Sequence, residues 1–168
     1  MLLLGHLGIG LKVAQPLRRG LPLKPLLWGT LLPDLIDKPL YYGLSWSTGR
    51  HGYDLGLISG TRTFGHTVLL TAALTALAAA RRSKVLAALA LGAATHLLLD
   101  VVADVFTRRS DYSMRVLAWP LLGWRFPGYM YSGLREHLAQ YHEPFLAYAE
   151  FIGAAILFVE WRRSRPRT

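Results

Sequence analysis

The chain has 168 residues, of which 52% are hydrophobic, and its mean hydropathy of +0.29 is high for a water-soluble domain of this length. The absence of cysteine excludes disulfides, thiolate zinc sites and cysteine nucleophiles. A formal charge of +9 is compatible with nucleic-acid binding, but the basic residues form short clusters between apolar segments, which membrane topology explains better. The length predicts one domain, residues 1–168.

Apolar stretches with helical character occur, in chain order, at residues 2–14, 21–32, 68–80, 85–102 and 145–161. The first stretch lacks a preceding basic region and a small-residue cleavage site, so we expect it to be retained and not removed as a signal peptide. Only the last two approach the ~20 residues that span a bilayer. The pattern predicts an all-α fold, a polytopic membrane bundle of two antiparallel helical hairpins and a C-terminal helix.

The turn between the central pair of helices, residues 81–84, is too short for anything but a tight hairpin. Folding the chain there places His66 level with residue 99, beside His96 and Asp100. Folding the first pair about residue 20 brings His6 level with Asp34. The sequence therefore predicts that His and Asp side chains gather at one end of the bundle.

The opposite end is basic, because both hairpin tips and the end of the last helix carry lysine and arginine. By the positive-inside rule that end faces the cytoplasm of a plasma or inner membrane, and the His/Asp end faces outward. We expect membrane lipids as partners, and no nucleic acid. An aromatic belt is predicted at the His/Asp end from Tyr41, Tyr42, Trp46, Tyr53, Trp119, Trp124, Tyr129 and Tyr131.

His96 and Asp100 are spaced i, i+4, so a helix projects both from one face, where they can bind one ion. Imidazole and carboxylate together favour a divalent metal, zinc first and manganese or iron as alternatives, which would activate water at neutral pH. The competing interpretation of an isolated HxxxD motif is a pair that caps or solvates a helix end. Asp104 continues the same stripe one turn later.

The other candidates also have ordinary alternatives. Asp34 and Asp37 lie between two prolines, where Pro33 is expected to start a new helix or a turn, and they could serve as turn or N-cap residues. The alternative for His66 is a histidine at a helix start, and for His6 a buried, hydrogen-bonded histidine. Their convergence favours a metal site, with the predicted ligands His6, Asp34, His66, His96 and Asp100.

Three further residues are candidates for catalysis. Glu150 lies inside an apolar segment and needs a partner, as a ligand, as a general acid or base, or as the counter-ion of an arginine, which is the favoured alternative. Arg62 precedes His66 by four residues and could clamp a phosphate, or be a solvated loop arginine. Asp37 or Glu150 is the predicted proton carrier.

The segments LLPDLID, RTFGHT, THLLLD and WPLLGWRFP, in this order, resemble the membrane-bound metal-dependent hydrolases of the bacterial inner membrane, including the LexA-regulated type. That family is distantly similar to zinc-dependent phospholipase C. The resemblance implies a helical membrane protein whose candidate ligands are His6, Asp34, Asp37, His66, His96 and Asp100. The family commonly has a histidine where this chain has Thr61, which puts a ligand in doubt, and His51 is a possible substitute.

The leading hypothesis is a metal-dependent hydrolase that uses metal-activated water to cleave a phosphoester. Lipid-linked phosphoesters are among the candidate substrates. The second is a non-catalytic membrane protein whose His/Asp cluster binds or conducts metal ions or protons. A pocket that opens from the site to the headgroup level favours the first, and a path through the membrane favours the second. A third is a scaffold without an ion, in which the His/Asp groups merely pair with each other. Side chains more than ~10 Å apart would support it, since zinc ligands lie about 2.0–2.2 Å from one ion.

Overall fold

A computed structural model of the chain describes residues 3–128 and 144–164. This part of the chain is helical and contains no strand. The α-helices are α1 (Leu3–Ala14), α2 (Leu23–Thr48), α3 (Val68–Ala80), α4 (Lys84–Phe106), α5 (Ser110–Leu117) and α6 (Pro144–Ser164), and two 3₁₀ turns, Gly52–Leu55 and Phe64–His66, lie between α2 and α3.

The α2 helix is the main departure from the predicted elements. It continues through Pro33 and Pro39 and ends only at Gly49, whose φ of 66° is left-handed and whose N–H donates to the carbonyl of Ser45. The expectation that the helix ends near residue 32 and that Pro33 starts a new element is wrong. Local rules disfavour proline inside a helix by about 3 kcal/mol, but the packing of α2 on α4 overrides them.

The central hairpin of α3 and α4 has the predicted form, with a turn of only three residues between the helices. Both helices begin at a hydroxyl cap. The Thr67 side chain accepts from the N–H of Leu70, and the Ser83 side chain accepts from the N–H of Leu86. These caps satisfy amide groups that the first turn of a helix leaves without partners.

Glycines allow two pairs of helices to touch through their backbones. A Cβ on Gly29 of α2 would overlap the carbonyl of Leu89, and a Cβ on Gly92 of α4 would overlap the carbonyl of Leu26. Between α1 and α6, a Cβ on Gly8 would overlap the carbonyl of Gly153. Such approaches are typical where helices pack without large side chains between them. These crossings fix α1 against α6 and α2 against α4.

The basic ends of the hairpins lie together, as predicted. A Cβ at Gly20, in the turn after α1, would lie 4.0 Å from Lys84 Nζ at the start of α4. Lys12 Nζ lies 2.8 Å from Glu160 Oε1 near the end of α6. The turn between α1 and α2, the start of α4 and the end of α6 therefore share one end of the bundle.

Two helices of the described residues, α4 and α6, are long and apolar enough to span a membrane, and α1 and α3 are shorter apolar helices. Half of the apolar stretch of α4 is buried inside the fold, compared with 17% of the corresponding stretch of α6. Core helices of soluble proteins meet the same criterion, so two spans give weak support to membrane association. The polytopic arrangement remains a prediction.

Replacing Gly29 with alanine tests the α2–α4 crossing. We expect Gly29→Ala to lower the free energy of unfolding by about 1–3 kcal/mol, because the methyl group overlaps the backbone of α4. The matched control is Gly43→Ala in the same helix, where a Cβ meets nothing within 4 Å and alanine should raise stability by up to about 1 kcal/mol. Thermal unfolding in detergent, followed by circular dichroism, measures both. Equal effects would contradict the backbone contact.

Candidate metal centre

The imidazoles of His66 and His96 face each other, with their Nε2 atoms 3.2 Å apart. Nδ1 of His96 lies 2.7 Å from the carbonyl oxygen of Thr30, which can only accept, so this nitrogen carries the proton. Nδ1 of His66 lies 2.7 Å from a carboxylate oxygen of Asp37 and donates likewise. In the neutral rings both Nε2 atoms are therefore lone-pair donors. Two lone pairs this close repel each other unless a positive charge lies between them.

Asp34 and Asp100 complete the cluster. Oδ1 of Asp34 lies 3.5 Å from His66 Nε2 and 4.0 Å from His96 Nε2, and Oδ2 of Asp100 lies 3.5 Å from both nitrogens. Ligands held about 2.0–2.2 Å from one tetrahedral zinc are about 3.3–3.5 Å from each other. Nε2 of His66, Nε2 of His96 and Oδ2 of Asp100 have separations close to these values, and Oδ1 of Asp34 lies somewhat farther from His96. The donor set is one that zinc accepts. These separations favour a metal site over the scaffold hypothesis, which side chains more than ~10 Å apart would have supported.

Each of these carboxylates also contacts a cation through its other oxygen. Asp34 Oδ2 accepts from Lys38 Nζ at 2.6 Å, one turn along α2. Asp100 Oδ1 lies 3.1 Å from an Arg62 guanidinium nitrogen. The two ion pairs hold the carboxylates so that one oxygen of each faces the histidines, and they balance negative charge in a site that is mostly buried.

Asp37 orients His66. The residue is fully buried, and each of its oxygens accepts two hydrogen bonds. The donors are the N–H and hydroxyl of Thr63, the N–H of Gly65 and Nδ1 of His66. These contacts show that Asp37 orients His66, and its predicted part as a proton carrier stays a prediction. It holds the ring of a ligand.

The surroundings of His66 favour a positive charge. Burial opposes a charge on the imidazole, but hydrogen bonds to Asp34 and Asp37 outweigh burial and raise its pKa above the usual value. The acidic groups that stabilise a proton at this position also stabilise a metal cation, which competes with that proton for Nε2.

Arg62 is held by two carboxylates of α4 and is not a solvated loop residue. Its guanidinium lies 3.1 Å from Asp100 Oδ1 and donates to Asp104 Oδ2 at 2.6 Å. Burial opposes its charge, yet these carboxylates raise the pKa of Arg62 above its ordinary value. The same Asp104 oxygen accepts a hydrogen bond from Ser113 of α5. The predicted phosphate clamp is therefore a residue that positions Asp100.

Asp104 is a functional candidate that the sequence analysis did not include among the site residues. Its side chain is buried and joins Arg62 to Ser113. The available signal was its position four residues after Asp100 on the same helical stripe. Thr30 was also missed, because a backbone carbonyl that fixes a histidine tautomer leaves no trace in the sequence.

His6 lies beside Oδ1 of Asp100, the carboxylate oxygen that also contacts Arg62. Its Nε2 is 3.4 Å from Asp100 Oδ1, and its ring stacks on that of His96 with centroids 3.8 Å apart. The residue is buried, and within the described chain its Nδ1 has no hydrogen-bond partner. His6, His96 and Asp100 form a second group whose ligand atoms lie within 4.8 Å of one another, beside the group of Asp34, His66 and His96.

Glu150 does not reach the cluster. Its carboxylate accepts from the N–H groups of Leu4 and Gly5, at 2.9 and 3.1 Å, and so caps the start of α1. Within the described chain the contacts of this carboxylate are backbone amides, so Glu150 is a structural partner of the helix that carries His6. Its predicted parts as an arginine counter-ion and as a proton carrier stay predictions.

The remaining sequence candidates lie outside the cluster. Thr61 is buried, and His51, the possible substitute ligand, is exposed and belongs to neither ligand group. Of the predicted aromatic belt, Trp46 and Trp124 are exposed, at 90% and 74%. Tyr41 is fully buried and accepts from the N–H of Gly52, so its assignment to the belt is wrong. Tyr129 and Tyr131 lie outside the described residues.

A pocket adjoins the cluster on the side of α5. Its polar wall consists of Arg62, His66, Asp100 and Ser113, and its apolar wall of Leu97, Val101, Val116 and Leu117. The cavity has a volume of only about 10 Å³, which is room for about one water molecule, so it marks a point beside the candidate ligands and does not hold a phosphoester as it stands.

Comparison with known proteins gives one match. The family model described as zinc-dependent phospholipase C matches residues 5–107, more than half of the chain. No curated protein and no solved structure matches. The matched range contains His6, Asp34, His66, His96 and Asp100. The family and the two ligand groups support a divalent metal cofactor, zinc first, and a metal-dependent phosphoesterase.

Neutralising Asp37 tests how the histidine is held. We expect Asp37→Asn to weaken zinc binding by about 10–100-fold, because His66 loses an anionic hydrogen-bond acceptor and the new amide faces donors. Competition with a chelator of known zinc affinity measures the change.

Asp54→Asn, the same replacement at an exposed residue in the turn after α2, is the control and should leave the affinity unchanged. Unchanged affinity in Asp37→Asn, with the helical circular dichroism retained, would show that Asp37 only organises the backbone of residues 63–65.

Proposed function

Since this chain belongs to the zinc-dependent phospholipase C family, we propose that it is a metal-dependent hydrolase of a lipid-linked phosphoester at a membrane surface. The observation that carries the proposal is the pair of facing Nε2 atoms, flanked by one oxygen each of Asp34 and Asp100. A metal-dependent phosphoesterase needs such a preorganised cationic centre beside a pocket.

In this proposal the zinc ion is held by Asp34, His66, His96 and Asp100. When bound, zinc supplies Lewis-acid catalysis and activates water at neutral pH. The carbonyl of Thr30 and the carboxylate of Asp37 keep both imidazoles in the tautomer that leaves Nε2 available. These hydrogen bonds orient the ligands before metal or substrate arrives, which limits the reorganisation that the reaction requires.

Arg62 has a separate part in the proposed reaction. It lies in the wall of the pocket and keeps its charge through its contacts with Asp100 and Asp104. A phosphate group that enters the pocket therefore meets a fixed cation next to the metal ligands. Because the guanidinium is already paired with two carboxylates, its main effect is to hold Asp100 and to reduce the negative potential that a phosphate would otherwise encounter.

The apolar surface of the helices supports a lipid-linked substrate. Large exposed side chains lie along α6, with Phe151 at 75% and Phe158 at 58%, and along α4, with Phe106 at 66%. Exposed apolar surface of this extent is typical of proteins that contact membranes. We propose an integral membrane location. The LexA-regulated inner-membrane type of hydrolase remains a prediction from the sequence.

The alternative of a protein that binds or conducts metal ions or protons has one observation in its favour. His6, His96 and Asp100 form a buried group, and two of these residues lie in α4, a candidate membrane span. Buried ionisable groups in such helices commonly mark an ion path. The family match favours the hydrolase, and the following experiment separates the two functions.

Elemental analysis and phosphodiester hydrolysis test the proposal together. We expect the detergent-purified protein to hold near-stoichiometric zinc and to hydrolyse a p-nitrophenyl phosphodiester. The double variant His96→Ala, Asp100→Ala should lose the metal and slow hydrolysis by about 10³-fold or more, because the metal contributes several kcal/mol to transition-state stabilisation.

The control is His51→Ala, at an exposed histidine outside both ligand groups, which should keep metal and activity. A wild-type protein that stays metal-free after zinc is added back would overturn the metal site. Zinc that binds without hydrolysis of soluble or lipid phosphoesters would favour the ion-binding alternative.

A further inference from the structure

The segment after α5 forms a loop with a rigid aromatic base, residues 118–126, named here the tryptophan loop. Trp119 stacks on Phe126 with centroids 5.0 Å apart, and Phe64 contacts both rings edge-on at 5.3 and 5.2 Å. The indole N–H of Trp119 donates to the carbonyl of Trp124, and the hydroxyl of Ser59 donates to the carbonyl of Phe126. Phe126 is buried. These contacts hold the two ends of the loop.

The tip of the loop is apolar and exposed. Leu121 is 88% exposed, Leu122 is 55% and Trp124 is 74%. Leu121 is the most exposed of the large hydrophobic side chains apart from Trp46. Adjacent exposed side chains of this size are unfavourable in water and mark a surface that contacts an apolar partner.

Positive charge accompanies the apolar tip. Arg125 lies in the loop, and Arg115 lies in the last turn of α5, and both are exposed. Tryptophan and leucine together with arginine match the layered chemistry of a phospholipid surface, where acyl chains lie beneath anionic phosphates. A protein partner would not require this combination. The charge and the apolar tip favour a lipid surface as the occupant.

The loop is continuous with the pocket of the metal centre. Val116 and Leu117, the residues that precede the loop, line the pocket together with His66 and Asp100. On the other side, Phe64, which contacts Trp119, belongs to the same 3₁₀ turn as His66. The base of the loop therefore touches the turn that carries a metal ligand. The loop also lies beyond residues 5–107, which the family model matches.

We propose that the tryptophan loop inserts into a phospholipid surface and brings a lipid-borne phosphoester to the pocket beside His66 and Asp100. The proposal rests on the function proposed above and names how the substrate arrives. With Leu121 and Trp124 among the acyl chains, the wall of Val116 and Leu117 lies at the boundary of the lipid.

The test compares two substrates in the zinc-loaded, detergent-purified protein. Leu121→Asp should lower kcat/KM by about 10–100-fold on phospholipid in mixed micelles that contain phosphatidylglycerol and phosphatidylcholine, mainly through KM, because a charge replaces the leucine that the acyl chains would surround. Hydrolysis of the soluble p-nitrophenyl phosphodiester should change less than about twofold, since the metal ligands are untouched.

The matched control is Leu17→Asp, the same change at a leucine that is 71% exposed at the basic end of the bundle. It should leave both rates unchanged. Equal losses on both substrates in Leu121→Asp, or no loss on either, would overturn the role of the loop.

A second measurement does not depend on activity or on an aspartate being tolerated. Phospholipids brominated in their acyl chains quench tryptophans that they contact, so Trp124→Phe should remove a large part of the quenching in reconstituted wild-type protein. If Trp124→Phe leaves quenching unchanged, the loop does not insert. If the wild type hydrolyses neither substrate, the proposed function fails, and the quenching result still decides whether the loop contacts lipid.

Discussion

The approach of two imidazole lone pairs to 3.2 Å is the constraint on which the rest of the site depends. Two neutral acceptors repel each other at this distance, and a cation between them turns the repulsion into attraction. Nδ1 of His96 donates to the carbonyl of Thr30, and Nδ1 of His66 donates to the carboxylate of Asp37. Because these bonds fix the tautomers, neither ring can relieve the repulsion by moving its Nδ1 proton to Nε2. The fold thus specifies a cation before any ligand is considered.

The charges around this centre leave it negative, because four carboxylates face the two cations Lys38 and Arg62. Asp34 pairs with Lys38, and Asp100 pairs with Arg62, which leaves one oxygen of each carboxylate directed at the histidines. A buried carboxylate without a partner would be strongly destabilising, whereas a paired one tolerates burial. Asp104 joins Arg62 to Ser113, so the ion pairs that support the ligands also attach α5, one wall of the pocket.

The sequence predicted the parts of the site that follow from short-range geometry. The i, i+4 spacing of His96 and Asp100 and the tight turn of the α3–α4 hairpin were sufficient to bring His66 to them. The part of Asp37 could not be predicted, because it depends on how residues 63–66 fold back on α2. The contacts of Glu150 with the start of α1 could not be predicted for a related reason, since backbone amides carry no sequence signal.

The prolines of α2 show where local rules fail and why the failure matters. Read alone, Pro33 and Pro39 end a helix, yet the helix continues through both. Because it continues, Thr30, Asp34 and Asp37 lie on one rigid element that touches α4 through glycine, and their positions relative to His96 are fixed by a backbone contact. Side-chain packing would leave this distance adjustable. A centre that requires separations near 3.3 Å between ligand atoms gains from backbone contact, because a flexible interface between α2 and α4 would let the histidines and the carboxylates separate.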